Sequence, residues 1–195
     1  MEVVVELLEL PDARVRETLE TAVTAAFARH PFLKQADRQV RFLTVKLAMD
    51  LRHRTAIEHS RFASSGEVLL RLNECYLRSG IGEPFIGETG EFHPMLVPTL
   101  LHEAGHFLDA RLTSAFGYAD SKLPNDRRLT TVTYHLWDGY IDGRLGSEAP
   151  YTFLERAQEA WEISRLPEEL VRRAWIGRLA TYDSLLAEAM RVIGA

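Results

Sequence analysis

The hydrophobic pattern of this chain changes period near its middle, and that change limits the fold more than any other feature. Residues 3–10 are short, apolar and β-branched at their start, which reads as a first strand. Pro11 and Asp12 then open a helix, because proline has no N–H to leave unpaired in a first turn and Asp suits the positive end of the dipole. Val15, Leu19, Val23, Ala26 and Phe27 recur at helical spacing until Pro31. Residues 40–49 and 56–59 read as strand-like pieces, with a helix around 43–51 as the alternative. Residues 66–76 are a clearer strand. Gly80, Gly82, Pro84, Gly87 and Gly90 punctuate a loop, with a short edge strand at 84–87. Helical spacing dominates from Pro94: one helix over 94–112, a second over 130–145, and a last one. That last helix carries an unbroken stripe of Val171, Trp175, Leu179, Tyr182, Leu186, Met190 and Ile193, read as a packing face. Strands with one helix, followed by helices, predict an α+β fold with a small mixed or antiparallel sheet.

With 195 residues the chain suits a single domain, mainly sheet plus one helix over 1–92 and mainly helical over 93–195. Hydrophobic residues make up 46% and charged residues 26%, a balance that supplies a core and argues against disorder. The net charge of −5 gives no reason to expect a nucleic-acid partner, which needs clustered cations against phosphates. Arg52 to Arg54 and Arg127 to Arg128 are short runs that read as solvated faces. Cys75 stands alone in an apolar run, so it forms no intramolecular disulfide and reads as a small buried hydrophobe. The first residues are acidic instead of basic, and no run approaches the roughly 20 apolar residues of a membrane span. A cytoplasmic protein without a membrane partner is expected, its oligomeric state open.

Within 94–112 stands His102-Glu103-Ala104-Gly105-His106. An α-helix turns by about 100° per residue, so residues four apart lie one above the other. His102 and His106 therefore point the same way, as two imidazoles on one metal ion require. Glu103 lies beside them, where its carboxylate reaches a water on that ion. Zinc lowers the pKa of such a water to about 7, so a neighbouring carboxylate can accept its proton. Leu100, Leu101, Ala104, Phe107 and Leu108 make the helix apolar on several sides. Buried imidazoles in that setting need partners, which a metal supplies. The bland alternative is a chance pair of core or surface histidines.

A catalytic metal site takes a third protein ligand and keeps one position open. Extension to a third histidine six residues on fails, because Leu112 stands there. The best source is the segment 134–145, where Asp138 and Asp142 share one helical face with His135 three residues before Asp138. One Asp would bind the metal while the other accepts a hydrogen bond from the far nitrogen of a ligating histidine. The pattern leans narrowly to Asp142 as the ligand and leaves Asp138 open. A surface face with Asp142 paired to a cation is the bland reading.

These residues resemble the zincin metallopeptidases, and most closely a small gluzincin-like branch in which a Glu on a later helix completes the site. The Glu-x-x-x-Asp form of that helix would make Asp138 the ligand and Asp142 the support. Another group of metallopeptidases carries Trp-Asn-x-x-x-Asp there, and Trp137-Asp138 through Asp142 resembles that pattern too, with Asp142 on the metal. Asp138 is neither Glu nor Asn, and the Gly-Thr-x-x-Asp signature of the aspzincins is absent. The resemblance covers residues 94–145. It implies a zincin-like fold, a Zn2+ cofactor, and a peptide or protein substrate lying along an edge strand, at 85–87 or 68–72. Tyr140, His135 and Arg144 stand near enough in sequence to stabilise an oxyanion, against ordinary packing or surface roles.

The expected function is thus a zinc-dependent hydrolase, a metallopeptidase in which His102, His106 and an Asp hold zinc and Glu103 activates water. The alternative is a zinc-binding protein with a regulatory or interaction role and no turnover.

Overall fold

The computed structural model describes residues 2–8, 13–38, 42–49, 57–59, 67–72 and 94–194. Four strands, β1 (Glu2–Leu8), β2 (Phe42–Met49), β3 (Ile57–His59) and β4 (Glu67–Leu72), form one sheet in the order β1-β2-β4-β3. β1 pairs with β2, and β2 with β4, in parallel; only β3 runs antiparallel, along β4. Helix α1 (Ala13–Ala28) connects β1 to β2, as a crossover between parallel neighbours must. It buries Leu19, Val23, Ala26 and Phe27.

The expected α+β zincin-like fold with a small mixed or antiparallel sheet is therefore corrected: the described chain is mostly helical, and its sheet rests mainly on parallel pairing. Local pattern marks a strand but not its partner, and here the intervening helix fixed the direction. The segment 68–72 is not an edge either, since β4 has β2 on one side and β3 on the other. The segment 85–87 and Cys75 lie outside the described residues.

The helical part consists of α2 (Leu96–Phe107), α3 (Arg127–Leu145), α4 (Phe153–Ser164), α5 (Glu168–Trp175) and α6 (Tyr182–Ile193). Helix α2 winds on into a π-helical turn, Leu108–Leu112. Helix α3 is the centre of this part and packs against α2, α4, α5 and α6. Its buried Val132, Leu136, Trp137, Ile141 and Leu145 fill the middle of the core. Asp126 caps its first turn by accepting from the Leu129 N–H at 2.7 Å.

The single last helix expected from the stripe 171–193 is two helices. Gly177, at φ +74°, leaves the helical region, and Thr181 restarts it with a capping box to Ser184. The restart shifts the phase, so α6 buries Tyr182, Leu185 and Ala189 while Met190 is exposed. Among the described residues no helix is long and apolar enough to cross a membrane.

Two glycines set how closely the helices approach. A Cβ on Gly143 would stand 1.9 Å from the Trp175 carbonyl oxygen, a backbone atom that cannot move without moving α5. Gly143→Ala is expected to cost about 3 kcal/mol or more. Urea unfolding checks this, and a variant as stable as wild type would contradict the contact. Gly105 lets α2 approach α3 in a milder way: a Cβ there would sit 3.0 Å from Ile141 Cγ2 and 3.1 Å from Phe32 Cε2. That approach matters for the site, because it joins the two helices that carry it.

Candidate metal centre

Helices α2 and α3 bring four of the sequence candidates together. His102 and His106 are buried on α2, with their Nε2 atoms 3.2 Å apart. Asp138 Oδ1, from α3, lies 3.0 Å from His106 Nε2 and 3.5 Å from His102 Nε2. These three side chains form a group that could hold a metal ion. A tetrahedral ion with bonds of about 2.0–2.2 Å keeps its ligand atoms roughly 3.3–3.6 Å apart. The observed spacings of 3.0, 3.2 and 3.5 Å are close to that. Two imidazole nitrogens facing each other at this distance also need a proton or a cation between their lone pairs.

Asp142 does something different. Its Oδ1 takes a 2.6 Å hydrogen bond from His102 Nδ1, and its Oδ2 is held by Arg156 Nε at 2.8 Å and Nη2 at 2.7 Å. That leaves His102 Nε2 as the nitrogen turned toward His106 and Asp138. The sequence leans narrowly to Asp142 as ligand; the geometry groups Asp138 with the two Nε2 atoms and sets Asp142 against His102 Nδ1. Such an outer partner fixes both tautomer and ring orientation.

Electrostatics follow from this arrangement. Burial alone lowers the pKa of His102, but the charges and hydrogen bonds of Asp142 and Asp138 outweigh it and push it up to about 10. His106, buried and lacking an equivalent pair of carboxylates, is lowered chiefly by desolvation. Burial works against ionised Asp138 as well. Hydrogen bonds with His102 and His106, together with the charge of Arg156, still hold it well below the usual carboxylate range.

Glu103 is half-buried, and its charge acts on His106 and on Tyr134. Tyr134 sits one turn before Asp138 on α3, its ring 6.3 Å from that of His106 and stacked on Trp137. Burial raises its pKa, as do the charges of Asp138, Asp120 and Glu103, so its hydroxyl keeps its proton. Sequence reasoning missed Tyr134, although it shares the Asp138–Asp142 face at the same four-residue step. Of the residues it named instead, Arg144 and Tyr140 are engaged elsewhere. Arg144 pairs with buried Asp109 at 2.7 Å, lies over the Phe32 ring and reaches Gln35 at 2.5 Å. Tyr140 stacks on Phe116. His135 is buried, and neither ring nitrogen has a hydrogen-bond partner among the described residues.

Two further side chains, Trp137 and His30, support the site. Trp137, fully buried, packs edge-on to His106 at 4.6 Å and donates to Asp109 at 3.4 Å. His30 donates from Nε2 to the Leu101 carbonyl at 2.8 Å and accepts from the Phe32 N–H at Nδ1. It thereby anchors α2 one residue before His102. Desolvation lowers its pKa from 6.5 to about 4. Because the folded value lies below the unfolded one, this stability is present above pH 6.5 and is lost as pH falls toward 4. It is worth roughly 2–3 kcal/mol between pH 7.5 and 4.5. The stability gap between wild type and His30→Gln in urea unfolding is expected to shrink by that amount, and a gap independent of pH would contradict it.

Comparison with protein-family models, with curated proteins and with solved structures finds no match to this chain.

Proposed function

We propose that the protein is a zinc-dependent hydrolase that cleaves peptide bonds. The observation that carries this reading is the convergence of His102 Nε2, His106 Nε2 and Asp138 Oδ1 within 3.0–3.5 Å, with Glu103 on the same helix beside them. Two imidazoles and one carboxylate suit zinc and leave a fourth position for water or substrate. The zinc ion, when bound, supplies a Lewis acid that acidifies that water and polarises a carbonyl.

The protein's own groups have distinct parts. Glu103 accepts the proton of the attacking water and passes it to the leaving amine. Tyr134, its ring 6.3 Å from that of His106, would donate a hydrogen bond to the oxyanion. Asp142 keeps His102 in the tautomer that directs Nε2 inward. Strand β3, at the edge of the sheet among the described residues and against α2, is the backbone an extended peptide would pair with.

A second reading keeps the metal but not the turnover, and the burial of His102 and His106, 5% and 2% exposed, favours it. Exposing zinc-loaded protein to a mixture of unstructured peptides, with fragments identified by mass spectrometry, separates the two. Cleavage that stops with a chelator and in Glu103→Gln supports the hydrolase. Metal-loaded protein that cleaves nothing supports the second reading.

A further inference from the structure

Arg156, on α4, belongs to no motif and lies fourteen residues beyond Asp142, yet it is 4% exposed and its guanidinium is used on every side. Nε and Nη2 both reach Asp142 Oδ2. Nη1 bonds Glu159 Oε2 at 2.6 Å and stands 3.6 Å from Asp138 Oδ2. The Tyr151 ring covers its face at 4.4 Å.

The division of oxygens is the informative point. In both aspartates Oδ1 faces the histidines and Oδ2 faces Arg156. Asp142 is fully buried, and a carboxylate there needs a counter-charge, which a purely structural arginine would supply. Such an arginine has no need to reach Asp138 as well. A planar fork spreads five donors over three nitrogens and holds two carboxylates at fixed, separate positions, whereas an ammonium carries its three donors on one atom.

We infer that Arg156 is a positioning residue of the metal centre, holding Asp138 Oδ2 so that this carboxylate offers a single oxygen to the metal, and Asp142 so that it orients His102. The inference rests on the metal reading above. Without Arg156 the Asp138 carboxylate is free to turn and present both oxygens, which raises the coordination number, and His102 loses its aligned support.

Cobalt(II) alone is the probe, since its visible absorption is strong in four-coordinate sites and weak in five- or six-coordinate ones. Wild type is expected to bind about one Co2+ with intense bands. Arg156→Gln, with a native circular dichroism spectrum, is expected to bind roughly ten-fold more weakly, with visible absorption reduced about two-fold or more. Glu159→Gln removes the charge from the other Arg156 contact while sparing both aspartates, and should match wild type in affinity and spectrum.

An Arg156→Gln variant with wild-type affinity and spectrum overturns the inference, as does an equal loss in Glu159→Gln, which would show general loosening. If Arg156→Gln does not fold, Arg156→Lys carries the test: reduced absorption supports the role and an unchanged spectrum overturns it. Failure of wild type to bind Co2+ removes the metal reading itself, and this inference with it.

Discussion

Asp138→Ala is expected to abolish tight metal binding, whereas Asp142→Asn should weaken it only about 10–100-fold. The contrast follows from which nitrogen each carboxylate faces. Asp138 Oδ1 lies among the two Nε2 atoms, so its loss removes a donor. Asp142 touches His102 only at Nδ1, so its loss leaves three donors but frees a ring. Asp142→Asn also leaves Arg156 facing a neutral amide inside the protein, so some loss of stability accompanies the weaker binding. Competition with a chromophoric chelator measures both affinities. Equal effects, or the larger one at Asp142, would contradict the assignment of the two aspartates.

Glu103→Gln is the second large effect. The amide keeps the shape and most of the packing of a half-buried side chain but cannot accept a proton. General base catalysis contributes roughly 10²–10⁴-fold, so turnover should fall by that factor while the metal stays bound. Rates on a peptide identified by mass spectrometry, set beside metal content of the same samples, make the comparison. A variant that loses metal and activity together would mean that Glu103 serves the metal instead of the water. Unchanged rates would remove it from the reaction.

How much of this was legible beforehand depends on the range of each interaction. The pairing of His102 and His106 was readable because one helical turn aligns them whatever the rest of the chain does. The face shared by Asp138 and Asp142 was readable for the same reason. Which aspartate meets Nε2 was not, since that depends on how α2 crosses α3, a matter of Gly105, Ile141 and Phe32. His30 and Arg156 sit 72 residues before and 14 residues after the residues they support, with no local spacing to mark them.

The sheet direction had a usable signal: a strand, helix and strand in succession imply a parallel crossover. The stripe along 171–193 misled because hydrophobic spacing ran through Gly177 and the Thr181-x-x-Ser184 cap, and both are stop-and-start signals that outweigh it. The same type of cap, Thr152 with Glu155, marks the start of α4 and hence the helix that delivers Arg156.

Metal content by elemental analysis, on protein purified without added metal, tests the centre at its foundation when wild type is set beside His106→Ala. About one zinc per chain in wild type and essentially none in the variant is the expected result, with both proteins folded. No metal in either, or equal metal in both, would mean that His102, His106 and Asp138 do not form a metal site, and the hydrolase reading would fall.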